Sequence, residues 1–311
     1  MRKVLILIAC IFSICAQAQQ KLNRFHLVDQ ESGLAIPSVS VAIVKAKLLM
    51  TTEKDGIFII PGDLKRMQDT IMFYVQNYLS LKIPLRELSN VDTIKLRKNV
   101  YSGNNKMKTS FKNDTLLNDY NRLDITYYAG LHNGDSEFQY LQLAEQFDVP
   151  KAGMLLKNVV INRLAFYQYY ITQYENTELE YTKFRIRLYD VDAITGGPGK
   201  DLCNEIIEVK SSDQKQKDIN LKSYNIVIPN KTFFVAVEWL RDYYNLELVR
   251  IYNPGRKKMV SFVNFRPAIG ISPEKSKKLN MWALNLNHMW KPYTSYSPDF
   301  TDLAIKAVVD Y

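Results

Sequence analysis

Phe25-His26-Leu27-Val28-Asp29, then Ser32-Gly33, Ile36-Pro37 and Val39-Ser40-Val41-Ala42-Ile43: this run, near the start of a chain of 311 residues, decides the fold class. Val39, Val41 and Ile43 recur at every second position, with Ser38, Ser40 and Ala42 between them, the pattern of a strand with one buried face. Phe25 to Asp29 reads as an edge strand and Ser32-Gly33 as a turn. Beyond them, Asp55-Gly56 predicts a tight turn, because glycine tolerates the positive φ that hairpin turns need. Phe58 and Ile60 then face the same core as Ile71, Phe73 and Val75. Asn77-Tyr78 and the closing run Asp92-Thr93-Ile94-Lys95-Leu96 complete a small all-β module.

The order of these landmarks resembles the carboxypeptidase regulatory-like domain, a transthyretin-like β-sandwich common at the N-termini of bacterial envelope proteins. The resemblance implies a seven-stranded sandwich over residues 19–98, and the stretch holds no residue set that could run a reaction. Asn77 stands where that family usually has glycine, and asparagine is the next most tolerant of left-handed backbone.

Residues 1–18 read as a secretory signal peptide: Arg2-Lys3, an apolar run from Val4 to Cys15, and Ala16-Gln17-Ala18 as the cleavage site, so that the mature chain begins at Gln19. A second reading makes Leu7-Ile8-Ala9-Cys10 a lipobox, with six apolar residues before Cys10, fewer than the roughly 7–15 of an ordinary apolar segment. No later stretch has the ~20 apolar residues of a membrane-spanning helix. The expected product is therefore exported, to the periplasm or the outer-membrane or cell surface, with peripheral membrane association left open. Of the 3 cysteines, Cys10 and Cys15 leave with the signal. Cys203 remains alone, so no intramolecular disulfide forms and the thiol reads as a small buried hydrophobe. Loss of Arg2 and Lys3 takes the formal charge from +9 to +7. Export argues against nucleic acid as the partner of that charge, and favours an envelope protein or an acidic glycan.

Residues 99–124 are polar and uneven and read as a linker. From residue 125 to 311 a larger all-β unit is expected. Phe184-Arg185-Ile186-Arg187-Leu188 alternates, with two arginines on its outer face. Phe233 to Leu240 is apolar on both faces except for Glu238, as in a central strand. Leu246 to Ile251, Val260 to Val263 and the terminal run Leu303 to Val309 supply more strands, the last of which should pair with an early one. About ten strands in this length argue for a jelly-roll-like sandwich. Ala144 to Pro150, Phe184 to Tyr189, the Gly196-Gly197-Pro198-Gly199 turn and Phe234 to Trp239 resemble galactose-binding-type jelly rolls of secreted bacterial proteins. Sites in such folds lie in variable loops, so the resemblance transfers no sugar-binding residue.

Catalytic constellations are missing from the sequence. His26, His132 and His288 are far apart, with no His-Glu-x-x-His signature and no Cys/His cluster. No Gly-x-Ser-x-Gly elbow occurs. Glu238 is costly to bury without a partner, and Arg185 or Arg187 is expected to supply one. Asp190, Asp192 and Asp201 read either as oxygen ligands of a structural calcium or as polar turn residues, in a spacing unlike an EF-hand. Trp282, Trp290, Tyr293 and Tyr296, between Pro273 and Pro298 with Lys275, Lys277, Lys278 and Lys291, read either as core or as rings on a loop that stack on sugar faces. The expected function is a non-catalytic exported binding or scaffolding protein of the bacterial envelope, with no cofactor, or else a glycan-binding or glycan-active protein using the C-terminal unit.

Overall fold

The computed structural model describes residues 22–43, 45–46, 48–62, 64, 68–99, 114–132, 140–163, 182–211, 216–241, 245–253, 255 and 257–310. The expected signal peptide, residues 1–18, and residues 100–113 of the expected linker lie outside them. The chain divides into two compact units, one ending at Asn99 and the other beginning at Val100.

In the first unit the strands are β1 (Leu22–Asp29), β2 (Ser40–Ile43), β3 (Leu48–Thr51), β4 (Ile57–Pro61), β5 (Thr70–Tyr74), β6 (Leu81–Pro84) and β7 (Thr93–Leu96). They form two sheets, ordered β4-β1-β7 and β3-β2-β5-β6. Strand β1 is not an edge: it pairs antiparallel with β4 and parallel with β7, so both rows of its backbone groups are taken up. Phe25, Leu27, Val39, Val41, Ile43, Phe58, Ile60, Ile71, Phe73 and Val75 share one core. Strand β2 is not one-faced either. Ser40 and Ala42 are buried as well, being small residues set between Thr51 and Tyr74 and between Leu49 and Met72 of the flanking strands.

The landmark turns converge. Asn77 adopts φ +68°, which sends Tyr78 back to hydrogen-bond to Asp29. Asp29 also accepts from the Ser32 backbone N–H at 2.7 Å and the Ser32 hydroxyl at 2.8 Å. These donors, the Ser32 N–H foremost, hold its carboxyl well below the usual carboxylate range. Burial, with Asp29 beside it, pushes the Tyr78 phenol up to about 12. Gly56 is needed twice over: its φ is +72°, and a Cβ there would lie 2.5 Å from the Leu27 carbonyl oxygen. Gly56→Ala is therefore expected to destabilise the first unit by about 1–3 kcal/mol, read as a lowered urea midpoint for that unit. An unchanged midpoint would mean that the turn tolerates a side chain.

The second unit runs β8 (Asp114–Leu117), β9 (Tyr128–His132), β10 (Tyr140–Asp148), β11 (Leu155–Asn162), β12 (Thr182–Val191), β13 (Pro198–Asp201), β14 (Ile207–Ser211), β15 (Gln216–Asn220), β16 (Ile226–Val227), β17 (Thr232–Trp239), β18 (Leu246–Asn253), β19 (Lys258–Gly270), β20 (Met281–Asn285), β21 (Trp290–Pro292) and β22 (Ile305–Asp310). The largest sheet is ordered β13-β12-β17-β10-β20-β21 with β14 also on β12, and a second is ordered β15-β11-β22-β8 with β16 on β11. A third is ordered β18-β19-β9. Inward residues of the two larger sheets, among them Leu143, Phe147, Val159, Ile161, Phe184, Ile186, Val235, Val237, Ile305 and Ala307, form one continuous core. The terminal strand does pair with early ones, lying between β11 and β8. That pairing corrects the linker reading. Asp114 to Leu117 is strand, and Tyr120 is buried with its hydroxyl donating to Ala304 O at 2.7 Å. Four residues of strand gain their order from a partner about 190 positions away, which no local pattern reveals.

Candidate functional site

Strand β12 alternates as its sequence predicts: Phe184, Ile186 and Leu188 enter the main core, and Arg185, Arg187 and Tyr189 point to the opposite face of the large sheet. That face is not open to solvent at the arginines. Arg185 is 2% and Arg187 1% exposed. Register sets what surrounds them. One row across the sheet reads Arg185, Glu238, Gln142, Leu284, Trp290, and the next reads Arg187, Ala236, Ala144, Trp282. The small Ala236 and Ala144 leave room for long side chains to lie flat over the strands. Tyr189 does so, its hydroxyl donating to Gln142 Oε1 at 2.8 Å and its ring meeting Trp290 edge-on at 5.5 Å. Trp282 packs edge-on against Phe234 at 6.1 Å. Ala144, Tyr189, Phe234 and Ala236, with Val191, Trp282 and Trp290 against them, make a second, smaller apolar cluster.

Glu238 finds the partner its burial demands. Arg187 donates to Glu238 Oε2 at 3.2 Å and to Asp201 Oδ2 at 2.7 Å. Arg185 stands directly opposite Glu238 in register. Burial raises the Asp201 carboxyl, against the pull of Arg187. In the β20–β21 turn, burial pushes the His288 imidazole down to about 4, with the Glu238 charge pulling it the other way. At neutral pH His288 is therefore uncharged.

The four candidate rings divide between the two faces. Trp282 and Trp290 lie on paired strands, not on a loop, and are half-buried. The Trp282 indole N–H donates to Gln146 Oε1 at 3.3 Å. A Cβ on Gly197 would come within 2.7 Å of the Trp282 ring, so the Gly196-Gly197 turn presses on that ring. Tyr293 and Tyr296 belong to the main core instead. Tyr293 is 4% exposed and meets Tyr140 edge-on at 5.4 Å, and Tyr296 donates to Tyr128 O at 2.9 Å. Strand alternation explains the division, since Tyr293 follows β21 on the inward side with Met281. Lys278 is drawn to Asp148 at 2.6 Å.

The three candidate calcium ligands do separate work. Asp190 accepts from the Asn230 amide at both oxygens and from the Val191 N–H, each at 2.9 Å. Asp192 caps its turn through Thr195 and Ile194, which hold its carboxyl below the usual range. Asp201 serves Arg187. Among the described residues, no three His, Cys, Asp or Glu side chains converge in a way that could hold a metal ion. Cys203 is buried, and burial pushes its thiol up. Gln142, Gln146 and Tyr189 were missed from the sequence. The signal for them is the alternation Gln142-Leu143-Ala144-Glu145-Gln146-Phe147, which sets Gln142, Ala144 and Gln146 on the face opposite Leu143 and Phe147.

No family model matches the chain, and no curated protein does. Among solved structures it is similar to the cysteine protease and lectin-like domains of Cwp84, a surface layer associated protein of Clostridium difficile, at 12% identity and TM-score 0.35 over 93% of this chain and 58% of that one. A second structure of this clostridial protease, after propeptide cleavage, matches at 12% identity and TM-score 0.34, over 94% and 71% of the two chains. A Bacteroides uniformis protein described as carbohydrate binding matches at 11% identity and TM-score 0.17, over 81% and 98%. The chain thus spans little more than half the length of the first of these. No helix among the described residues is long and apolar enough to cross a membrane.

Proposed function

We propose that the chain is an exported, non-catalytic binding protein of the bacterial envelope, and that the outer face of its large sheet recognises a glycan. The observation that carries this reading is the pair Trp282 and Trp290, half-buried on one face and set diagonally across β20 and β21. Each ring has one edge fixed on the protein, by Phe234 and Tyr189 respectively. Aromatic rings held in this way offer flat apolar area at little entropic cost, and sugar rings stack on such surfaces. Gln146, half-buried, supplies an amide beside them, while Gln142 and Tyr189 are buried and bonded to each other. A catalytic reading of Glu238 and Asp201 is disfavoured because Arg187 is ion-paired with both and Glu238 is 1% exposed.

The test is a glycan array probed with the full chain, followed by fluorescence titration of the strongest hit. Trp282→Ala and Trp290→Ala are each expected to weaken binding about 2- to 12-fold while the far-ultraviolet spectrum stays that of the folded protein. Unchanged affinity in both variants, or no specific signal on the array, would return the reading to a protein scaffold.

A further inference from the structure

Strand β10 carries a second buried acid on its inward face. Glu145 is 0% exposed, and its neighbours in register, Val235 on β17 and Met281 on β20, bring no charge to it. Glu145 Oε2 accepts from the Leu303 backbone N–H at 2.7 Å. Glu145 Oε1 is buried, and no donor among the described residues reaches it. Asp302, 2% exposed, stands within hydrogen-bonding reach of Glu145. Two carboxylates repel and have no hydrogen to share, so one of the two must carry a proton. The donors around them decide which. Asp302 accepts from Asn280 Nδ2 at 2.6 Å, Ser276 Oγ at 2.8 Å, the Ser276 N–H at 3.1 Å and Thr301 Oγ1 at 2.5 Å. Glu145 has a single donor.

We propose that Glu145 and Asp302 share one proton, as a carboxylic acid and a carboxylate, and so fasten the central strand β10 to the segment entering β22 in a bond that weakens as pH rises. Glu145 Oε1–H is the donor, which accounts for the buried oxygen, and Asp302 is the acceptor. Burial first, and the Asp302 charge second, push the Glu145 carboxyl well above its ordinary value. Among the described residues Tyr120, on the segment after β8, also feels Glu145: its phenol is raised by burial, by Glu145 and by Asp119. The pair also touches the outer face. Asn280, a donor to Asp302, accepts from the Gln146 N–H at 2.9 Å and stands two residues before Trp282. The inference does not depend on a glycan binding there.

The sign follows from linkage. A carboxyl whose folded value lies above its unfolded value of about 4.3 contributes stability that is complete below that value. It is lost as pH rises toward the folded value, because the unfolded chain releases the proton first. In Glu145→Gln the amide donates to Asp302 and its oxygen accepts from Leu303, with no proton to lose. The ratio of the wild-type to the variant unfolding constant, read by urea titration between pH 5 and 8, is expected to rise by up to about tenfold per pH unit. Parallel profiles would overturn the proposal. Should the variant fail to fold, carboxyl-labelled glutamate in the wild-type protein decides by carbon-13 NMR. One glutamate resonance is expected at the protonated position at pH 7, and a spectrum with every glutamate ionised would overturn it.

Discussion

Arg187→Met is expected to destabilise the second unit by about 3–5 kcal/mol, one of the two largest losses anticipated from a single substitution in this chain. Arg187 is 1% exposed and answers two carboxylates, Glu238 at 3.2 Å and Asp201 at 2.7 Å. Methionine fills most of the volume of the stem but removes the charge. Glu238, also 1% exposed, would then be buried without its counter-ion on a strand with neighbours on both sides. Asp201 is less affected, because a third of its side chain reaches solvent. The double variant Arg187→Met, Glu238→Leu separates this cause from lost packing: with neither charge present, most of the stability should return. Urea midpoints of the wild type, the single and the double variant measure it. A single variant within about 1 kcal/mol of wild type would mean that the ion pair is solvated after all, and a double variant no better than the single would assign the loss to packing.

This network also shows what sequence can and cannot reveal. The need for a partner was legible in Glu238 itself, an acid in the run Phe233 to Leu240, and the two arginines of β12 were the natural suppliers. The choice of Arg187 was not legible. Register puts Arg185 directly opposite Glu238, yet the ion pair runs diagonally, toward the side on which Asp201 adds a second acceptor. Alternation told which face each side chain takes and not whether that face is covered. The cover depends on Ala144 and Ala236, whose small size lets Tyr189 and Trp290 lie across the strands, and on the β20–β21 turn that brings His288 near Glu238. The same limit separated the four candidate rings. Trp282 and Trp290 were grouped with Tyr293 and Tyr296 by proximity in sequence, but the pairing of β20 with β21 sends the two tryptophans to one face and the tyrosines to the main core. In the first unit the core of Phe25, Val41, Phe58 and Phe73 was readable from period-two spacing, and the left-handed turn at Asn77 from residue type. The interior position of β1 was not, since a parallel partner arriving from β7, some 70 residues later, leaves no local mark.

Trp239→Ala is expected to cost about 3–5 kcal/mol, and the structure fixes the reason. Trp239 ends β17 at 1% exposure, among the largest side chains fully enclosed in the protein. Its indole N–H donates to Pro267 O at 2.7 Å, which ties β17 to β19. Its ring meets Tyr140 edge-on at 5.3 Å, Tyr140 meets Tyr293 at 5.4 Å, and Tyr293 meets Tyr296 at 6.0 Å, so truncation removes one end of a chain of four packed rings. The cavity cannot collapse easily, because the Tyr140 hydroxyl is itself held by Gly130 O at 2.9 Å. Trp282→Ala provides the internal comparison. That ring is only half-buried, held by Phe234, the Gly197 turn and the Gln146 amide, so its loss should cost less than half as much while reducing ligand binding. Equal destabilisation by the two substitutions, read from urea midpoints, would make Trp282 a core residue and remove the outer face as a recognition surface. A large loss from Trp239→Ala with a small one from Trp282→Ala would separate the ring that holds the sandwich together from the ring available for binding.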